Sequence, residues 1–357
     1  MPGVLCRDAI MGRRGRDMAC VVGWDIGGAH LKAARAEHGR IVDAVQVASP
    51  LRLGLEALEQ AFARAKPKMG RADRHICTMT GELADTFASR TEGVERLAAV
   101  AVCALEPERV VLYAGRAGFI APQAAVRHAE DIASANWHAT AALLAKLPGT
   151  ALLIDMGSTT TDIVPVTAGA IVARGYTDAE RLACGELVYT GLVRSFVIAI
   201  AERAPVAGSW TPLVAENFAN MADVHRLLEN LADGVDQMPT ADGRPKTLAA
   251  SRARLARMVG RDVEDGQDWT LLARWFAEAQ IRTITDAALL VVSRGQLPGE
   301  APIVAAGIGG AIIGEVARRL GRTCVGFESL LDVAPHARAA ASHCAPAAAL
   351  ALLAGTD

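Results

Sequence analysis

Apolar residues recur along this chain in two periods, and the alternation between them predicts its architecture. Over residues 20–47 three short segments, CVVGWDI, HLKAARAE and IVDAVQV, are separated by turns, the second at His38-Gly39-Arg40. Runs of this kind bounded by turn residues predict an antiparallel meander opening a domain. Helical spacing follows over 55–65, then a strand over 75–80 ending in Gly81-Glu82, a helix over 94–105 and a strand over 109–114 ending at Gly115. Strand and helix signals in alternation predict an α/β layer.

The opening pattern then returns. A helix capped by Ser134 and closed by Pro148-Gly149 leads to a strand over 151–156, a turn at Gly157-Ser158, a β-branched strand over 159–166, a turn at Ala168-Gly169 and a third strand over 170–174. Laying one copy on the other sets Asp25 on Asp155, Gly27 on Gly157, Gly28 on Ser158 and Lys32 on Asp162. One wide repeat implies two related domains rather than a solenoid. Residues 205–269 carry charged, helical spacing broken by Pro239, Gly243 and Pro245, with no strand signal, and read as an insertion in the second domain. A strand over 302–306, the turn Gly307-Ile308-Gly309-Gly310, a helix over 311–320, a strand over 324–327 and an Ala-rich helix complete the chain. The expected division is a disordered leader over 1–17, a first domain over 18–148, a second over 149–335 and a terminal helix over 336–357 packing back on the first domain.

Composition narrows the class of ligand. With 357 residues, 52% of them apolar, the chain can build two cores of ordinary size. A net charge of −2 with no long block of either sign argues against nucleic acid or an anionic membrane as the main partner, and favours a small molecule. No apolar run reaches the roughly 18–20 residues of a membrane helix. The arginines at 7, 13, 14 and 16 lack a following apolar stretch, so they read as a leader upstream of a start at Met18 rather than a secretory signal. Seven scattered cysteines without a C-x-x-C pair fit a reduced, cytoplasmic protein. Homo-oligomer formation is left open.

Two turns carry the chemistry. Glycine after a buried strand lets backbone N–H groups approach an anion, and a carboxylate at the strand's end can hold a hydrated divalent cation. A single Asp-x-Gly turn is common in ordinary hairpins; two in equivalent positions, at Asp25 and Asp155, with the glycine loop at 307–310, point to a two-sided phosphate clamp. Hydroxyls of Ser158, Thr159, Thr160 and Thr161 adjoin those amides. Lys32 points either into the cleft or to solvent. Glu82, closing a strand where an α/β cleft opens, is an acid, base or metal contact, or a helix-start glutamate. Arg181, Glu186 and Tyr189 fall where the second meander meets a helix, with Glu186 and Tyr189 on one face. Asn136 precedes Trp137 and His138 on a helix, as substrate contacts or as a packed tryptophan with its cap. His343 and Cys344 lack a partner acid at a recognisable spacing for a nucleophilic pair.

These motifs resemble the superfamily of acetate kinase, sugar kinases, Hsp70 and actin. Asp25-Ile26-Gly27-Gly28 and Asp155-Met156-Gly157-Ser158-Thr159-Thr160-Thr161-Asp162 are similar to its two phosphate motifs, and Gly307-Ile308-Gly309-Gly310 to its adenosine motif. The resemblance implies duplicated RNase H-like, actin-like domains around a central cleft. RLACGELVYTG, TGELAD, ASANWHATA and DMGSTTTDIVPV look most like the hydantoinase/oxoprolinase-related branch tied to tetrahydromethanopterin-linked one-carbon metabolism, which includes a methanofuran-biosynthesis synthase. That family's reaction joins an aminomethylfuran diphosphate to the phenol of γ-glutamyltyramine and releases diphosphate. Carried over, it implies that Asp25 and Asp155 hold Mg²⁺ with the diphosphate. Gly27, Gly28, Gly157, Ser158, Thr159 and Thr160 would contact the phosphates, with Gly307, Gly309 and Gly310 beside them. Glu82 or Asp162 would take the phenolic proton, and Lys32 would assist.

The first turn departs from the nucleotide-binding pattern. It runs Gly27-Gly28-Ala29-His30, without the Ser or Thr that usually follows the glycines, which weighs against ATP at that turn. Rival readings keep the superfamily: an ATP-dependent small-molecule kinase, an oxoprolinase-like amidohydrolase, or a nucleotide-switched protein of the actin type. No peptide-binding domain is evident for the last.

Overall fold

The meander forms as expected because each of its strands is short, apolar and closed by a tight turn. In the computed structural model, which describes residues 20–354, β1 (Cys20–Ile26), β2 (His30–Glu37) and β3 (Arg40–Ala48) precede α1 (Glu56–Met69), β4 (Arg74–Met79), α2 (Arg90–Leu105), β5 (Val110–Tyr113) and β6 (Phe119–Ile120). The sheet order is β3-β2-β1-β4-β5-β6, with β2 antiparallel and β4 parallel to β1. The leader expected over 1–17 and the start at Met18 lie outside the described residues.

The second sheet repeats this order. After α3 (Ala129–Ile132) and α4 (Asn136–Lys146) come β7 (Ala151–Met156), β8 (Thr161–Thr167), β9 (Ala170–Ile171), α5 (Asp178–Cys184) and β10 (Leu187–Val188). An inserted region holds β11 (Arg203–Val206), β12 (Ser209–Pro212), α6 (Met221–Leu227) and α7 (Leu248–Met258). The chain returns through α8 (Trp269–Val292), β13 (Ile303–Gly307), α9 (Gly310–Arg319), β14 (Cys324–Gly326), α10 (Arg338–His343) and α11 (Ala345–Leu353). Here β7 lies antiparallel to β8 and parallel to β13, as β1 does to β2 and β4.

Four expectations change. Residues 203–212 form a β-hairpin, not helix; a two-stranded ribbon has only edges, so Pro205 and Pro212, which argue against an interior strand, are tolerated there. Ser134 does not cap α4, since its hydroxyl donates to the carboxylates of Glu82 and Asp178 instead. Glu186 and Tyr189 do not share a helix face, because Gly185 ends α5 in a left-handed conformation and β10 follows. The strand expected from Thr159 begins at Thr161, and the segment before it belongs to the turn.

The two sheets meet through helices made of small residues. One apolar core takes in Val21, Ala34 and Ile76 from the first sheet, Leu153, Val164 and Val304 from the second, and the buried faces of α4 and α11. The inserted region has a separate core, with Phe276 of α8 at its centre. Among the described residues, no helix is long and apolar enough to cross a membrane.

Gly23 sets how closely α11 approaches β1. A methyl placed on Gly23 would run into the backbone carbonyl of Ala347 and lie 2.9 Å from the backbone nitrogen of Ala351. Neither contact can be relieved by a side-chain rotation. Gly23→Ala is therefore expected to destabilise the protein by about 1–3 kcal/mol, the usual cost of overpacking a close-packed core. A lowered urea or thermal midpoint checks this; an unchanged midpoint would show that α11 is free to move away.

Candidate functional site

Each half of the site is built by one hairpin, and the two match bond for bond. Gly27 donates its backbone N–H to His30 O at 3.0 Å, and Gly157 donates to Thr160 O at 2.9 Å. Asp25 stands opposite Lys32 across the first hairpin, as Asp155 stands opposite Asp162 across the second. Because Gly27 and Gly157 use their N–H groups to close the turns, the donors left for an anion are those of Gly28, Ser158 and Thr159, which have no acceptor among the described residues.

Both turns line one cleft of about 390 Å³, together with Lys32, Asp25, Asp155, Asp162, Arg181 and Thr160. Lys32 Nζ lies 3.7 Å from Asp25 Oδ2, while Asp25 Oδ1 is buried without a partner. Arg181 Nη1 donates to Asp162 Oδ1 at 2.8 Å and Nη2 to Glu186 O at 2.9 Å, and its guanidinium lies 4.1 Å over the Trp137 ring. Three buried carboxylates thus share two cations.

Their protonation is governed first by burial, which the two cations oppose only in part. Burial pushes Asp155 up to about 7, with Lys32 opposing and Asp162 and Asp25 adding. Asp25 is raised by burial against the pull of Lys32, and Asp162 by burial against Arg181. Burial would lower Lys32, but Asp25 and Asp155 outweigh it and hold its ammonium above the ordinary value. The site is short of positive charge.

A divalent cation fits this arrangement. The orphaned Asp25 Oδ1 and the Asp155 carboxylate come from opposite sheets into one cleft, a donor set suited to Mg²⁺, which takes one or two carboxylates and completes its shell with water and phosphate oxygens. Among the described residues, no three His, Cys, Asp or Glu side chains cluster as a closed metal cage.

The remaining candidates are distributed unevenly. Asn136 lines the cleft and its Oδ1 accepts from the Trp137 N–H at 2.7 Å; Tyr189 lies at the mouth, 64% exposed. Glu82 is buried behind Thr80 and Leu83, and does not line the cleft. Burial pushes its carboxyl up to about 7, against hydrogen bonds that include one from Ser134. Glu186 is also away from the cleft: it accepts from the N–H groups of Arg174 and Gly175 and pairs with Arg294, bonds that outweigh burial and lower its carboxyl.

Gly307, Ile308 and Gly310 line a separate cavity of about 310 Å³ with Glu328, Ser342 and His343. The N–H groups of Ile308 and Gly309 both donate to Met156 O, at 2.9 and 3.2 Å. Gly307, at φ +80°, packs against the Asp155 carboxylate, where a side chain would collide with it. This loop therefore buttresses the second turn. Cys344 is buried, its thiol pushed up to about 12 by that burial, which leaves it inert as a nucleophile.

Two cleft residues escape a reading of the motifs. His30 is 4% exposed and its Nε2 has no partner. Arg194 follows the close-packed Gly191, gives its backbone N–H to Ser158 O at 2.8 Å and sets Nη1 3.5 Å from Thr159 Oγ1. His30 closes the first glycine turn in the sequence, whereas Arg194 lies outside the motifs and reaches the second turn only in space.

Comparison with known proteins places this geometry. A match to the Hydantoinase/oxoprolinase family spans residues 74–354. The chain is 31% identical over 253 residues, 71% of its length and 75% of the relative's, to the "(4-{4-[2-(gamma-L-glutamylamino)ethyl]phenoxymethyl}furan-2-yl)methanamine synthase" of Methanocaldococcus jannaschii. To the protein of the same name from Methanococcus vannielii it is 32% identical over 112 residues, 31% of this chain and 50% of that one. Among solved structures, nucleotide-free acetone carboxylase aligns with a TM-score of 0.52 at 11% identity, over 91% of this chain and 70% of that one, a likeness of fold alone. The architecture is the duplicated actin-like α/β fold, and the chain belongs to the hydantoinase/oxoprolinase family, in the branch that holds the methanofuran-biosynthesis synthases.

Proposed function

We propose that this protein is a transferase that joins an aminomethylfuran diphosphate to the phenol of γ-glutamyltyramine or a tyramine-like acceptor, releasing diphosphate. The observation that carries this reading is the pair of matched turns, which set two carboxylates and the unpaired amides of Gly28, Ser158 and Thr159 around one cleft. The family's synthases, whose product name contains a phenoxymethyl-furan ether, support the choice of substrates.

The chemistry needs a good leaving group and a base. The bond between the furanylmethyl carbon and the diphosphate oxygen breaks, its electron pair going to diphosphate, and the phenol oxygen forms the new bond to that carbon. Donors aimed at the departing oxygens favour the charge-separated transition state. Mg²⁺ bound at Asp25 and Asp155 would supply further neutralisation of the diphosphate. Lys32, held charged beside Asp25, orients that carboxylate and pulls against the burial that raises it.

Of the two candidate bases, Asp162 lines the cleft and Glu82 does not, so Asp162 takes the phenolic proton. Arg181 fixes its carboxylate, and burial raises its affinity for a proton above that of an exposed aspartate. A base must reach the proton it abstracts.

Diphosphate release is the direct test. Purified protein with both substrates and Mg²⁺, without ATP, is expected to release diphosphate, and Asp155→Asn to lower the rate at least about a hundredfold while the thermal midpoint holds or rises. An ATP requirement, or an unchanged rate in the variant, would remove the clamp from the mechanism. For the base, Asp162→Asn should lose about 10²–10⁴ in kcat and Glu82→Gln should keep most of it; the reverse pattern would move the role to Glu82.

Glu82→Gln also has a pH signature. With its folded pKa raised from 4.5 to about 7, Glu82 withdraws stability as pH rises through that window, because the unfolded chain ionises first. The variant should therefore be more stable than the parent at pH 8, by on the order of 3 kcal/mol, and equal to it near pH 4.5. A stability difference that does not vary with pH would contradict the assignment.

A further inference from the structure

Of the cations around the cleft, Lys32 is committed to Asp25 and Arg181 to Asp162, at 3.7 and 2.8 Å. Arg194 is not committed. Among the described residues no carboxylate lies within 4 Å of its guanidinium, and its only side-chain hydrogen bond is a long one, 3.5 Å, to the hydroxyl of Thr159. A half-buried guanidinium carries five donors in a fixed fork that matches phosphate oxygens. Beyond the long contact to Thr159 Oγ1, those donors are open to an anion in the cleft that Arg194 lines.

Its location selects the ligand. Arg194 is tied by its own N–H to Ser158 O, so its backbone moves with the second phosphate turn. Beside it the buried Nε2 of His30 also lacks a partner and belongs to the lining of the same cleft. Burial, then Lys32, Arg194 and Lys246, push His30 down to about 3, so its ring is neutral at physiological pH and adds a hydrogen bond without charge. Burial, joined by Arg52, lowers Arg194 against the opposing pull of Tyr189 and Asp85, and all three of these residues line the same cleft.

We propose that Arg194 is a catalytic residue that grips the diphosphate and neutralises the charge it gains as its bond to the furanylmethyl carbon breaks. This rests on the diphosphate reading of the cleft. The electron pair of the broken bond stays on the diphosphate oxygens, and Arg194 donates to them without losing its own proton. It adds a charged donor beside the amides of Ser158 and Thr159 on the same turn.

Calorimetry with inorganic diphosphate and Mg²⁺ tests this, with steady-state kinetics alongside. Arg194→Gln is expected to weaken diphosphate binding roughly ten- to hundredfold and to lower kcat, with the KM for the phenolic acceptor unchanged. Arg194→Lys, which keeps the charge but not the fork, should fall between it and the parent and guards against loss from misfolding. Diphosphate binding by Arg194→Gln within twofold of the parent would overturn the proposal, as would a loss confined to the acceptor's KM. If the parent protein itself takes up no diphosphate, the reading of the cleft fails first, a result distinct from either.

Discussion

Three carboxylates buried around two cations are the constraint on which this molecule turns. Burial raises the carboxyls of Asp25, Asp155 and Asp162, and the pull of Lys32 and Arg181 offsets that rise only in part. The cleft's buried carboxylates favour a cationic ligand. A divalent cation carried in with a phosphate ester would be one, and binding would be coupled to the ionisation of Asp155.

The fold exists to hold those charges apart yet facing. Asp25 and Asp155 each lie one residue from the end of a largely buried strand and face a partner across the hairpin, so their positions are set by backbone hydrogen bonds rather than by side-chain freedom. The relation between the hairpins is set by α4 and α11, whose alanine-rich faces allow the sheets to approach through a shared core. Gly23 and Gly307 serve the same end at two scales: one admits the α11 backbone against β1, the other admits the loop after β13 against Asp155. Support for the site is thus distributed over both halves, while Ser134 ties Glu82 of one to Asp178 of the other.

Much of this was legible in the chain, for identifiable reasons. The duplicated turns announced themselves because a buried strand, an acid and a glycine must occur in that order, and the offset that aligns Asp25 with Asp155 also aligns Lys32 with Asp162 as cross-strand partners. What was hidden depended on distance in the sequence. Ser134 has the composition of a helix cap, but the carboxylates that claim its hydroxyl lie 52 and 44 residues away. Glu82 and Glu186 have the spacing of site residues, yet burial turns them inward to structural partners. Arg194 has no motif at all; its role depends on which carboxylates are already paired. The hairpin over 203–212 was concealed by its prolines, whose prohibition applies to interior strands only.

In the proposed mechanism the two turns grip one diphosphate between them. A crystal structure of the protein grown with Mg²⁺ and diphosphate tests it most directly. Diphosphate is expected between the Asp25 and Asp155 turns, within hydrogen-bond reach of the Gly28 and Ser158 amides. Diphosphate settled instead in the cavity beside Gly307 and Gly310, with the cleft between the turns vacant, would contradict it.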